Sequence, residues 1–194
     1  MNTNQPKIIA ICGYKGSGKD TIANYLSNKY NYKHYKISSK VKDIVKILFN
    51  INDYDYDNKK ELINEKWGIS IRQMMQFVGT DMFQFKIQEL LPNINRDFWI
   101  KTLFSDELIK NINSTNIVLS DLRFIHEFNY LKNLNIPIII IRVDNSNIIK
   151  NDEHISEREY INIPYDYSIN NNNDIKNLYN KIDECIINYQ NKQL

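Results

Sequence analysis

The segment Gly13-Tyr14-Lys15-Gly16-Ser17-Gly18-Lys19-Asp20-Thr21 follows directly on the apolar run Ile8-Ile9-Ala10-Ile11-Cys12, and it leaves few folds open. Glycines let the backbone curl until several N–H groups point at one anion, and a helix opening from the loop turns its positive end to the same charge. Such a loop needs a buried strand before it and a helix after it. Gly13, Gly16, Ser17 and Gly18 are candidates for the grip on a nucleoside triphosphate, and Lys19, expected to face solvent, for neutralising β- and γ-phosphate charge. The pattern G-x-x-x-x-G-K-[ST] holds from Gly13 to Lys19 and breaks at the next position, where Asp20 replaces the hydroxyl that ordinarily ligates magnesium. The hydroxyl returns one residue later, at Thr21. This chemistry points to nucleotide-dependent phosphoryl transfer.

Downstream, the pattern alternates between strand and helix. Lys7–Cys12 reads as a buried parallel strand and Asp20–Lys29 as the helix opened by the loop. His34–Ser38 is a short second strand, and Ser38-Ser39-Lys40 a capped entry to an amphipathic helix over Lys40–Phe49, with Val41, Ile44, Val45, Leu48 and Phe49 at helical spacing. Asn50–Asn58 reads as loop and Lys59–Lys66 as a short helix. Ser70–Phe85 and Asp97–Ile112 both show helical periodicity around Pro92-Asn93-Ile94-Asn95. Strands follow at Ile117–Ser120, Pro137–Val143 and Tyr165–Asn170, with helices at about Phe124–Asn133 and Asp174–Asn188. The expected class is α/β: three layers around a five-stranded parallel sheet, with ligands above the strand C-termini and a helical substrate-binding insert. One domain spans 1–194, with the insert at about 39–115 and a polar, lid-like segment at about 145–160. Asn50–Lys66 is the other candidate mobile excursion.

The bulk properties narrow the partners. With 25 Lys+Arg against 23 Asp+Glu in 194 residues, there is no polybasic footprint of a duplex DNA or membrane binder. Nucleic acid and membrane are therefore not expected as partners; small anionic nucleotides are, and a homodimer stays open. Two cysteines, Cys12 and Cys185, suggest neither a disulfide framework nor a C-x-x-C site. No apolar leader or bilayer-length run is present, so a soluble, cytoplasmic protein is expected, in the host cytoplasm if the source is viral. Frequent Asn, Ile, Lys and Tyr, including the run Asn170–Asn173, read as an AT-rich coding bias rather than as a functional tract.

Further segments line up in order: the Lys19-Asp20-Thr21 ending of the loop, Lys42-Asp43, Ile71-Arg72-Gln73-Met74-Met75-Gln76-Phe77-Val78-Gly79-Thr80-Asp81, Phe98-Trp99-Ile100-Lys101, Asp121-Leu122-Arg123-Phe124-Ile125-His126-Glu127 and Asp152-Glu153-His154-Ile155-Ser156-Glu157. Together they resemble the deoxynucleoside monophosphate kinases of tailed bacteriophages, from which the chain departs by being shorter between Phe49 and Ser70. The resemblance implies transfer of the γ-phosphoryl of ATP, with magnesium, to a deoxynucleoside monophosphate. It implies Lys19 and the loop N–H groups on the β/γ-phosphates, Thr21 on an ATP phosphate and Asp20 on magnesium through water. Lys15 would bridge donor and acceptor phosphates. Arg72, with Lys42 behind it, would grip the acceptor α-phosphate, a group suited to a guanidinium fork. Gly79 would let the base approach backbone and Trp99 would pack on the nucleoside, with Val41, Thr80, Lys101, Arg123 and Glu127 also on the substrate side and Asp121 and Arg123 among the catalytic residues.

Plainer readings stand beside these. Arg123 and Glu127, four apart at a helix start, can form a surface ion pair, Asp121 a strand-end cap, and Trp99 a core residue. Asp152-Glu153-His154 lacks metal-ligand geometry and fits a solvent-side or lid segment. Two other functions remain open: a kinase of another small phosphate, since animal phosphomevalonate kinase looks similar around Ser120-Asp121-x-Arg123, and a non-catalytic nucleotide-binding module.

Overall fold

The computed structural model describes residues 5–105, 112 and 114–192. The chain forms two compact units, one of Met1–Lys36 with Phe104–Leu194 and one of Ile37–Leu103.

The first unit is built on five parallel strands: β1 (Ile8–Cys12), β2 (Lys33–Tyr35), β3 (Ile117–Leu122), β4 (Ile138–Asp144) and β5 (Tyr167–Asn170). Their order is β2-β3-β1-β4-β5, so the strand that feeds the glycine loop is the central one. Every residue of β1 and β3 is buried, as expected for strands covered on both faces. Alternate side chains divide between those faces. Ile9, Ile11, Val118, Ile139, Ile141, Val143 and Ile169 join one apolar cluster with Ile22, Ala23 and Leu26 of α1 (Lys19–Tyr30) and Leu178, Ile182, Cys185 and Ile186 of the closing helix Ile175–Asn191. Each large side chain buried there contributes roughly 1.5–3 kcal/mol. The intervening Ile8, Ala10, Leu119 and Ile140 are equally buried toward the other face.

One irregularity matters for the site. β1 and β3 pair as Ile8↔Ile117, Ile9↔Val118 and Ala10↔Leu119, but the next pair is Cys12↔Leu122. β3 therefore carries one extra residue around Ser120 and Asp121, a bulge that re-aims side chains at the end of a strand.

In the second unit, α2 (Ser39–Phe49) buries Val41 and Val45. Ser38 precedes it without a side-chain capping bond, contrary to the expected cap. The expected loop at Asn50–Asn58 is instead mostly helix, Asp53–Asn58, because the Asn52 side chain accepts from the Asp55 N–H at 2.8 Å. The expected helix at Lys59–Lys66 is absent: Ile63–Asn64 pairs antiparallel with Ile69–Ser70 around Gly68, whose φ of 68° suits the turn. Ser70 and Gln73 then form a reciprocal capping box at the start of Ile71–Gln76. The expected single helix over Ser70–Phe85 splits into those six α-helical residues and a nine-residue π-helix, Phe77–Phe85. Of the helix expected at Asp97–Ile112, Phe98–Leu103 is present, and residues 106–111 lie outside the described ones.

Candidate active site

The loop between β1 and α1 turns on glycines in left-handed geometry: φ is 149° at Gly13, 78° at Gly16 and 104° at Gly18. A Cβ on Gly13 would lie 2.3 Å from the Val143 carbonyl oxygen, so only glycine lets this loop lie against β4. Lys19 corrects the expectation of a solvent-facing cation. It is buried, and its ammonium donates to the carbonyls of Gly13 at 2.9 Å and Tyr14 at 2.7 Å. Burial, and then the nearby Arg123 charge, lowers its pKa to about 8. The Ser17 hydroxyl is also buried and has no hydrogen-bond partner among the described residues. Thr21 lies in the first turn of α1, half-buried.

Asp20 sits in a chain of polar groups. Its Oδ1 accepts from Ser120 Oγ at 2.6 Å and its Oδ2 from Lys36 Nζ at 2.8 Å, while His34 Nε2 lies 2.7 Å from Ser120 Oγ. Burial pushes the Asp20 carboxyl up, but the bonds from Lys36 and Ser120 outweigh it and hold the group below the usual carboxylate value. Burial, with the Lys36 charge, pushes His34 down, so its imidazole is neutral at neutral pH.

Across the loop lies the segment after β4. Lys15 Nζ pairs with Asp152 at 3.1 Å, and Tyr14 Oη accepts from the Asp152 N–H at 2.8 Å. The buried Glu157 accepts from the Lys15 N–H at 3.0 Å and pairs with the Arg123 guanidinium. Arg142 fastens the far end of the segment by donating to the Tyr160, Ile161 and Ile163 carbonyls. Tyr14, Ile125, Lys150, Asp152, Arg158 and Tyr160 are among the walls of a cleft of about 990 Å³, room enough for a small ligand. His154 bonds Ser156 locally, and among the described residues no group of three or more His, Cys, Asp or Glu side chains could hold a metal ion.

The Arg123 guanidinium pairs with Glu157 rather than with Glu127. Glu127 is buried and accepts the backbone N–H groups of Arg123 and Phe124, capping the helix Ile125–Lys132. Burial pushes its carboxyl up to about 8. Asp121 lies near the end of β3, within the bulge, buried, where its charge is felt by Lys19 and His34.

In the second unit, Arg72 Nε donates to Glu61 at 2.5 Å, and Lys42 Nζ sits 3.4 Å from Asp57 and 4.5 Å from the centre of the Tyr56 ring. Lys101 is exposed, with its ammonium 3.9 Å from Asp97, and Thr80 is buried. The space at Gly79 faces Val41, whose Cγ1 would lie 3.3 Å from an added Cβ, so the π-helix packs closely on α2 at this glycine. Trp99 is core: it is buried among Phe83 and Phe98, and its indole N–H donates to the Gly79 carbonyl at 2.6 Å.

The family model for deoxynucleotide monophosphate kinases matches residues 7–67 and 49–182, which together span both units. The chain belongs to the deoxynucleotide monophosphate kinase family. Relatives of this kinase chain include a protein of Acanthamoeba polyphaga mimivirus that carries the same family name, 31% identical over 93% of this chain and 96% of that one. The deoxynucleotide monophosphate kinase of enterobacteria phage T4 is 22% identical over 91% of this chain and 97% of its own. Among solved structures, dephospho-CoA kinase from Campylobacter jejuni matches with a TM-score of 0.52 at 13% identity, over 97% of this chain and 99% of that one, a likeness of fold.

Several residues that shape the kinase site carry no motif. Ser120, His34 and Lys36 meet Asp20 only through strand order and a bulge. Asn171, inside the run first read as coding bias, donates its Nδ2 to the Ser17 carbonyl at 2.9 Å and its backbone N–H to Asp144 at 2.7 Å, bracing the loop from β5. Glu157 belongs to a quoted segment, but its bond to the loop spans far too much sequence to be read from spacing.

Proposed function

We propose that this chain transfers the γ-phosphoryl group of ATP to deoxynucleoside monophosphates, giving the diphosphates, with magnesium. The glycine loop carries the reading: three left-handed glycines curl it, a lysine ammonium is held over it, and the buried Ser17 hydroxyl has no partner among the described residues. Membership of the kinase family supplies the substrate class. Phosphoryl transfer asks for alignment and charge neutralisation more than for covalent chemistry by the protein. Gly13, Gly16, Ser17 and Gly18 would present N–H groups to the β/γ-phosphates, Lys19 would exchange its loop carbonyls for phosphate oxygens, and Thr21 would take a further phosphate. Lys15 and Arg123, now on Asp152 and Glu157, would turn to phosphate oxygens, trading one set of anions for another. Asp121 would set the field around Lys19. Arg72 and Lys42 would take the acceptor α-phosphate and Lys101 would lie on the substrate side.

Magnesium suits the donor set, because it takes hard oxygen ligands and often uses one or two carboxylates plus phosphates. Asp20 offers an ionised, half-exposed carboxylate next to Lys19. The ion, when bound, offsets charge on the phosphates.

A coupled ADP-release assay tests the reading against the four deoxynucleoside monophosphates, their ribose counterparts and phosphomevalonate. ADP release that rises with a deoxynucleoside monophosphate is the expected result. Release that rises only with phosphomevalonate, or that no acceptor changes, would reject it.

A further inference from the structure

The peptide that joins Ser17 to Gly18 is the last within the glycine loop before α1 begins at Lys19. A trans peptide is planar, so its C=O and its N–H point in opposite directions. The Ser17 carbonyl accepts from Asn171 Nδ2 at 2.9 Å, just past the end of β5. The Gly18 N–H is thereby turned the other way, off β5. We infer that Asn171 is a positioning residue for the donor nucleotide: by holding the Ser17 carbonyl it sets the Gly18 N–H on the phosphates.

Contacts on every side make Asn171 a fixed strut rather than a loose side chain. Its own backbone N–H donates to the Asp144 carbonyl, at the end of β4, at 2.7 Å. Before it in the chain, the Asn170 carbonyl accepts from Lys181 Nζ of the closing helix at 2.8 Å; after it, Asn172 Oδ1 accepts from the Ser146 N–H at 2.9 Å. At the working end, a Cβ on Gly18 would lie 2.5 Å from Asn171 Nδ2 and 3.8 Å from Leu178, so the Gly18 backbone lies hard against the amide. With a φ of 104° and a carbonyl that accepts from the Ile22 N–H at 3.0 Å, Gly18 is also where loop backbone becomes helix. Fixing this peptide fixes the entrance of α1, and the first N–H groups of a helix, which lack partners within it, are the ones an anion uses. Donors held in place beforehand need no reorganisation when charge shifts during transfer. An amide suits the task, because it donates to a carbonyl without adding a charge beside the phosphates.

The inference rests on the kinase reading above, and a ligand without a base separates the two. Each of the five glycines follows a different residue, so carbonyl-¹³C serine with ¹⁵N-glycine reports the Ser17–Gly18 peptide alone by magnetic resonance, while Gly68 and Gly79 serve as controls outside the loop. ADP and inorganic tripolyphosphate, without metal, are titrated into the parent, Asn171→Ala and Asn171→Asp, and their affinities are taken by calorimetry. Both ligands should shift the Gly18 amide of the parent. In Asn171→Ala that shift should shrink and both affinities should fall about three- to tenfold. Asn171→Asp keeps the shape but only accepts, so it should weaken both ligands further. An unchanged shift with unchanged affinities in Asn171→Ala overturns the inference, as does a parent whose Gly18 amide neither ligand moves. A loss for ADP with tripolyphosphate untouched overturns it too, by putting Asn171 on the base. If the Gly68 and Gly79 signals of the ligand-free variants move as far as that of Gly18, or if neither variant folds by circular dichroism, Asn171 is a general support of the fold and the inference falls. If the parent transfers phosphoryl to no deoxynucleoside monophosphate while tripolyphosphate behaves as expected, only the kinase reading has failed.

Discussion

Arg72 stands at the second position of the helix Ile71–Gln76, its Nε on Glu61 and its side chain still 19% exposed. A surface pair of this kind is worth at most about 1 kcal/mol, so a phosphate can displace Glu61 at little cost. Arg72→Ala should therefore abolish most transfer and acceptor binding while leaving ATP affinity within about twofold, and Arg72→Lys should restore little, since an ammonium lacks the two-point fork. Calorimetry with ATP and with a deoxynucleoside monophosphate on each variant checks this; loss of ATP affinity instead would move Arg72 to the donor side. Glu127 shows the opposite outcome for a charged residue at a helix start, and it is testable through pH. Its carboxyl is pushed up to about 8 by burial, from an ordinary value of 4.5. Between those values the folded protein keeps a proton that the unfolded chain releases, so the Glu127 contribution to stability falls as pH rises. Glu127→Gln keeps an oxygen for the Arg123 and Phe124 N–H groups but cannot titrate. Urea unfolding at pH 5, 6.5 and 8 should show the parent losing stability relative to the variant, on the order of a few kcal/mol at ~1.4 kcal/mol per tenfold change in proton affinity; parallel curves would contradict it. A sequence shows the four-residue spacing of Arg123 and Glu127 but not that the backbone reaches the carboxylate first.

At the scale of elements, the segment from Asn145 to Asn162 is strapped to the loop by carboxylates rather than by apolar packing alone. The Arg123–Glu157 pair is the deeper strap, with Glu157 1% exposed. Removing one partner of such a pair leaves a desolvated charge, which costs about 3–5 kcal/mol when burial is complete and less here because Arg123 is partly exposed. Glu157→Ala should thus destabilise the chain by roughly 2–3 kcal/mol and speed amide exchange across 145–162, while Asp152→Ala, at a more exposed pair, should change stability by less than about 1 kcal/mol. Equal exchange in both variants and the parent would show that the segment is held by something else. The polar composition of this stretch suggests a lid-like element in the sequence; its anchors are not legible there, because each joins residues far apart in the chain. The second unit shows another limit. Apolar spacing reports that Ser70–Phe85 is helical but does not distinguish α from π, since both keep a continuous buried stripe. The helix at Asp53–Asn58 was missed because its content is acidic and its stability comes from the Asn52 cap. Ser70-x-x-Gln73, by contrast, is a capping signal present in the sequence itself.

For the whole molecule, the α/β class and all five parallel strands were legible, because strands buried on both faces read as short unbroken apolar runs with helices between them. The phosphate loop was legible for the same reason that it works: glycine and lysine at fixed offsets are its geometry. What could not be read was who faces Asp20, since that depends on β3 lying beside β1 and on one extra residue within it. The central place of β1 also sets the order in which the molecule can be made. Ile8 pairs with Ile117 on one side and Ile138 on the other, so β1, made before the other four strands, has no partner in the sheet until more than a hundred further residues have followed. At typical rates of synthesis that wait is on the order of ten seconds. For that time a run of isoleucines is exposed, a natural client for a chaperone, and nucleotide cannot rescue the nascent chain, because the wall that Val143 gives Gly13 does not yet exist. The nucleotide grip, encoded ahead of the strand that walls it, is thereby completed only after β4 has formed.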